Sequence, residues 1–257
     1  MIKVLPTSCV VCGKVLLAGR AAMDLWGNIY CEEHRNEYPA CSACGRPICA
    51  RLTGGGTTYA DGRAVCNVCR RTAVDTKQQA KPIVEAVSRW LYDRGVRFEG
   101  LVLKINLSSA RELAVSGGDR SSPAGLGRGQ VMGYIVKLTE LRGGRQRRIV
   151  NGVTILSGLP RELFEGVVAH ELGHAWLYLA HVDGLPPWAE EGFCNLLTYI
   201  LHKDRQTDEA RFWVKTVEAD PDPVYGEGFR RVRAIFKKHG FGEALNYTFR
   251  HKRLPRE

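Results

Sequence analysis

The sequence predicts an α+β fold, a small cysteine-rich module followed by a mainly helical domain that carries a small antiparallel or mixed sheet. Three observations lead there. Short Cys/His pairs crowd the first seventy residues, β-branched alternating segments occupy the middle, and everything after Pro160 reads as helix. A chain of 257 residues has room for one such module, residues 1–75, and one core-bearing domain, residues 76–257.

The cysteines come first. They fall as Cys9-x2-Cys12, Cys31-x2-His34, Cys41-x2-Cys44 and Cys66-x2-Cys69, four pairs separated by eighteen, six and twenty-one residues. Two ligands three apart can grip one ion from a tight turn, so eight ligands make two structural zinc sites. The sequential grouping puts Cys9, Cys12, Cys31 and His34 on one ion and Cys41, Cys44, Cys66 and Cys69 on the other; a cross-braced grouping is the alternative. Disulfides compete for the same cysteines in secreted chains. Residues 1–16 contain no extended apolar core and no run is long enough to span a membrane, so the reading is a cytoplasmic protein with reduced thiols. Cys49 and Cys194 are left over and read as small buried side chains.

Residues 77–92 then read as a helix with Ile83, Val84, Val87, Trp90 and Leu91 on one side. Residues 98–107, 131–138 and 149–156 are strand-like, and the Gly/Ser-rich residues 116–129 between them read as a mobile stretch. Pro160 suits a first helical position. After it, Leu163, Val167, His170, His174 and Leu177 recur at helical spacing and predict one inward face.

That helix contains His170-Glu171-Leu172-Gly173-His174. Two histidines four apart share a helix face and can hold one zinc ion, with the intervening glutamate beside it. A zinc that works on a substrate needs three protein ligands and an open position. In the metzincin pattern the third ligand is a histidine six residues after the second, but Ala180 stands there and His181 is one place off. In the gluzincin pattern it is a glutamate on a second helix beyond a reversing loop. Residues 182–187 (VDGLPP) supply the breakers, residues 188–201 read as the second helix, and Glu191 points back at His170 and His174. Asn195, one turn further, can accept a hydrogen bond from a ligand imidazole. Glu190 reads as an ordinary exposed helical carboxylate, with binding of a substrate amine as the alternative.

Three segments carry a resemblance to a known family: GVTILSGLPRELFEGVVAHELGHAWL (152–177), AEEGFCN (189–195) and YGEGFRRVRAIFKKHGFGEAL (225–245). They resemble the peptidase domain of the plant DA-one family, LIM-containing, ubiquitin-activated metallopeptidases. The knuckle segment at 30–76 is close to the zinc-binding segment that precedes that peptidase. It is LIM-like with departures, since Cys31 comes before His34 and the spacer between sites is six residues where a regular LIM domain has two. More distantly, Glu191-Gly192-Phe193 and Tyr225-Gly226-Glu227-Gly228-Phe229 resemble the third-ligand and oxyanion segments of aminopeptidase-N-like gluzincins.

The resemblance implies a thermolysin-like gluzincin domain, a zinc metallopeptidase acting on protein or peptide substrates with one catalytic and two structural zinc ions. His170, His174 and Glu191 would be the catalytic ligands, Glu171 the base that takes the proton of water, and Tyr225 the donor to the oxyanion. The LIM-like module would meet a protein partner. No ubiquitin-interacting helix is visible, so ubiquitin activation does not carry over. A net charge of +10, with Arg142, Arg145, Arg147 and Arg148 and then Arg230, Arg231, Arg233, Lys237 and Lys238 clustered, raises the rival reading of a zinc-ribbon adaptor or nucleic-acid binder with an inactive peptidase domain. Stacking aromatics do not interleave the knuckles, which disfavours nucleic acid.

Overall fold

The computed structural model describes residues 8–16, 21–98, 101, 103–116 and 131–256. It is a mixed α/β chain with small sheets, and it divides into two compact units. One is Met1–Ala73 with Gly158–Pro160; the other is Val74–Ser157 with Arg161–Glu257.

The first unit is built from very short elements. Strands β1 (Ala21–Met23) and β2 (Ile29–Cys31) pair antiparallel, and a 3-10 turn, Glu32–Arg35, follows. Helix α1 (Ala50–Thr53) is capped by the Cys49 side chain, which accepts from the Leu52 N–H. Strands β3 (Gly56–Thr58) and β4 (Ala64–Cys66) form a second hairpin that leads into α2 (Asn67–Arg70). Strand β5 (Ala73–Val74) ends the stretch.

The second unit opens with α3 (Lys77–Asp93), started by a capping box in which Thr76 and Gln79 satisfy each other's backbone donors. Ile83, Val84, Val87 and Leu91 are buried as their spacing predicts, while Trp90 lies at the rim and donates to Asp204. Strand β6 (Ile105–Ser108) and helix α4 (Ala110–Ser116) follow; the predicted strand at 98–107 is thus shorter, and the helix is unforeseen. Residues 117–130, nearly all of the Gly/Ser-rich stretch, lie outside the described residues.

Strands β7 (Gly133–Arg142) and β8 (Arg145–Leu156) are much longer than the strands predicted at 131–138 and 149–156. Gly143 and Gly144 explain the difference. Both take positive φ, the two-residue hairpin turn whose twist matches its strands, so Arg142 pairs with Arg145 and the ladder continues to the tip. With β6 parallel to β8, the sheet is mixed, in the order β6-β8-β7, and β7 is an edge. Strand β9 (Leu159–Pro160) takes Pro160 into extended structure, so the next helix starts one residue later than predicted.

Helices fill the rest: α5 (Arg161–Leu179), α6 (Pro187–Asp204), α7 (Asp208–Glu218), α8 (Gly226–His239) and α9 (Phe241–His251). Helix α5 corrects the one-face expectation. It packs on α3, β7, β8 and α6 together, and everything from Leu163 to Leu177 is buried. A helix enclosed on all sides shows no polar face. Packing also explains the motif glycines. A side chain on Gly173 would meet Cys194 on α6, and one on Gly192 would overlap the Gly228 carbonyl on α8, so these helices cross at backbone distance. Among the described residues no helix is long and apolar enough to cross a membrane.

Candidate metal centres

In the first unit the ligand atoms gather in the sequential grouping: Cys9, Cys12, Cys31 and His34 in one cluster, Cys41, Cys44, Cys66 and Cys69 in the other. Turns place them. Gly13 and Gly45, each directly after a cysteine pair, take positive φ and donate back to the Cys9 and Cys41 carbonyls at 2.8 Å, which curls each pair round one point. Cys12 and Cys31 Sγ are 3.8 Å apart, and so are Cys44 and Cys66 Sγ. Disulfide sulfurs would be bonded at about 2.05 Å. A tetrahedral ion with bonds of about 2.3 Å sets thiolates roughly 3.8 Å apart. Cys9 Sγ also accepts three backbone N–H groups at 3.4 Å, from Val11, Cys12 and Cys31, as a thiolate would. His34 Nδ1 bonds Glu37, leaving Nε2 for the cluster. These clusters can hold zinc.

In the second unit α5 and α6 bring His170, His174 and Glu191 together. His170 Nδ1 lies 2.9 Å from Asn195 Oδ1, and Asn195 Nδ2 donates to the Tyr225 carbonyl at 3.2 Å, which fixes the amide with its oxygen toward the ring. His174 Nδ1 lies 3.0 Å from Glu190 Oε1. Both Nδ1 atoms therefore carry protons, and both Nε2 lone pairs point elsewhere. They point at each other, 3.2 Å apart, and at Glu191 Oε2, 3.1 Å from His170 and 3.5 Å from His174. Three acceptors facing one another in a buried site repel unless a cation lies between them. Tetrahedral bonds of about 2.0–2.2 Å give ligand separations of roughly 3.3–3.6 Å, so this triangle is close to zinc's size and slightly tighter on two sides. Burial works to raise the Glu191 pKa, but the two imidazoles facing it prevail, and the carboxyl lies at about 2.

Glu190 is the residue the sequence reading missed. Its carboxylate does for His174 what Asn195 does for His170. The available signal was its place directly before Glu191 on a helix that must face α5. Cys194 also lies close, its sulfur grouped with His170 and His174 within 4.8 Å. Burial pushes that thiol up to about 12, so it stays protonated and fills space against Gly173, whereas the Glu191 carboxylate faces both Nε2 atoms.

Glu171 is fully buried, and neither carboxylate oxygen has a hydrogen-bond partner among the described residues. Burial pushes its pKa up to about 7. Gly133 at the start of edge strand β7 makes room for it, since a Cβ there would stand 3.0 Å from Glu171 Cγ. Tyr225 precedes α8 and is half-buried. Burial first, then the charge of Glu191, raises its phenol pKa well above the ordinary value, with Glu171 also contributing. Tyr199 is committed elsewhere, donating to Glu218 at 3.2 Å and packing on Phe229.

Residues 107–209, which include both histidines and Glu191, match the family model DA1-like: Protein DA1. Protein DA1 of Arabidopsis thaliana is 24% identical over 310 residues, covering 96% of this chain and 56% of that protein. LIM domain-containing protein HDR3 of Oryza sativa subsp. japonica is 23% identical, covering 93% and 60%, and Protein DA1-related 2 of Arabidopsis thaliana is 25% identical, covering 93% and 56%. The chain thus spans little more than half the length of these relatives. No solved structure matches it significantly. Over nearly all of its length the chain is thus similar to Protein DA1 and its relatives, and its central region matches that family's model.

Proposed function

We propose that this protein is a zinc metallopeptidase with a thermolysin-like helical domain and a LIM-like two-zinc module, three ions in all. The observation that carries the reading is the convergence of two Nε2 atoms and one carboxylate oxygen beside a buried, unpartnered glutamate. A structural zinc site needs four protein ligands and has no use for such a group. His170, His174 and Glu191 would hold the catalytic ion. When bound, zinc supplies Lewis acidity, bringing the pKa of water to about 7 and polarising a carbonyl.

The chain's own residues do the rest. Glu171, with an apolar-site pKa near neutrality, takes a proton from the attacking water and returns it to the leaving amine. Tyr225 remains a protonated phenol and can donate to the tetrahedral oxyanion. Strand β7, packed on α5 and at the edge of its sheet among the described residues, offers backbone groups along which a substrate strand can lie. The substrate is a protein or peptide and the setting cytoplasmic, with the knuckle module contacting a protein partner. Three members of the basic clusters are engaged by acids, which weakens the nucleic-acid rival. Arg148 is paired to Asp183, while Arg230 and Arg233 are bonded to Glu227 and Glu218.

The test is cleavage of an unfolded protein by chain purified without chelator, repeated after metal removal and zinc return. Activity lost and restored is expected. A zinc-loaded chain that cuts no protein or peptide would overturn the reading.

A further inference from the structure

A groove of about 750 Å³ opens in the second unit where the end of α5, the α9 helix and the loop after α3 meet. Its volume falls within the range of ligand sites. The floor is apolar, made by Trp176, Leu179 and Leu245, with Phe249 on the rim and 53% exposed. The cationic residues lining it are Arg97 and Lys252, with the His181 imidazole beside them; no acidic residue lines it among those described.

The backbone at two of those positions is unusual. Among the described residues His181 and Lys252 are the non-glycine residues with positive φ, both at 56°. Each follows a helix as its left-handed cap, α5 for His181 and α9 for Lys252, with the Val182 N–H closing back on Leu177 and the Lys252 N–H on Thr248. Such caps ordinarily take glycine, which adopts this backbone without strain. A basic side chain near a helix C-terminus also meets the favourable end of the dipole. Lys252 does this, donating from Nζ to the Ala180 carbonyl at 2.6 Å, but an ammonium has three donors and this bond uses one. The dipole does not account for Arg97, which lies beyond the end of α3, or for the exposed Phe249 beside the charges. The ammonium of Lys252 is 4.4 Å from the Phe249 ring centre, so aromatic and cation form one surface.

We propose that this groove docks an acidic peptide segment of a partner protein, a bulky apolar side chain on the Trp176 and Phe249 surface and its carboxylates on Arg97, His181 and Lys252. Charge complementarity selects the occupant: cations without an acid among them favour anions, and the apolar floor favours anions joined to hydrophobic side chains. The groove uses none of the metal-binding residues, so the inference stands apart from the catalytic reading. Trp176 packs on Phe193, 5.4 Å between ring centres and two residues from Glu191, which gives docking a direct neighbour of the metal helix.

The test measures anisotropy of a fluorescein-labelled decapeptide alternating glutamate with phenylalanine and leucine, added to zinc-loaded full-length Glu171→Gln protein so that turnover cannot intervene. Arg97→Glu and Phe249→Ser change exposed side chains outside the metal centre, and matching circular dichroism melts would show both folded. At least a tenfold weakening by either folded variant is expected, together with at least a tenfold preference over an analogue carrying lysine for glutamate. Saturable binding that neither variant alters, equal binding of the lysine analogue, displacement by single-stranded RNA, or no binding at millimolar peptide would each overturn the proposal.

Discussion

The knuckle unit and the helical unit both gather residues that can hold a metal, but only one has a core without them. In the knuckle unit Cys41, Cys44, Cys66 and Cys69 are themselves buried, and the apolar residues around the other cluster amount to Val11, Ala22 and Tyr30 with a few half-buried neighbours. Its strands are three residues long, too short to hold as isolated hairpins. The helical unit has a core of its own, with Phe164, Leu172, Phe193, Leu197 and Phe229 essentially inaccessible, and His170, His174 and Glu191 are buried as well. The same ion would therefore supply folding energy in one place and chemistry in the other.

Metal removal tests that contrast most strongly. Structural zinc in finger peptides has an apparent binding free energy of about 10–16 kcal/mol. Strong chelation is expected to abolish hydrogen-exchange protection in the knuckle unit while α5, α6 and α8 keep theirs. Metal analysis before chelation should find three ions per chain. Both units losing protection together, or neither doing so, would end the distinction.

The next largest effect separates chemistry from metal binding inside the helical unit. Glu171→Gln keeps the shape and all three ligands but removes the base. Turnover of a peptide substrate should fall by about 10²–10⁴ with zinc content unchanged. A fall that tracks lost zinc would mean Glu171 shapes the site and does not move the proton. Tyr225→Phe comes after it. Loss of one oxyanion donor costs about 10²–10³ in kcat, and KM should barely move because the bond exists only in the transition state. An equal loss in binding would assign the phenol to substrate grip.

How far these features could be read without coordinates follows from how local they are. The knuckle pairs and HELGH are short-range patterns whose spacing alone dictates geometry, and Glu191 follows from one reversing loop. The choice between the sequential and the cross-braced grouping of the eight knuckle residues needed the fold. The β7–β8 hairpin was half read: Gly143-Gly144 was a turn signal, but the charged residues on both sides of it lack apolar alternation. Helix α5 defeated periodicity because it is enclosed by α3, the sheet and α6, so no polar face remains to be seen. Gly173, Gly192 and Gly228 sit in the motifs for backbone approach between helices, which depends on crossing points that one sequence does not reveal. Glu190 was invisible for the opposite reason: a carboxylate in the first turn of a helix is ordinary, and only the facing imidazole makes it specific.

That last residue gives the finest test, because Asn195 and Glu190 do the same job with different charge. Partners that fix the tautomer and ring of a metal-bound histidine are typically worth 10–100-fold in affinity. Glu190→Ala should weaken zinc at the catalytic site by that factor, read by competition with dipicolinate while the knuckle zinc stays bound. Glu190→Gln keeps an acceptor oxygen for His174 Nδ1 and should recover most of the affinity, making the site resemble the amide arrangement at His170. If glutamine behaves like alanine, the negative charge itself supports the metal, and the two histidines are held by different physics. If neither substitution changes affinity, α5 packing alone orients His174, and the 3.0 Å contact is a consequence of that packing.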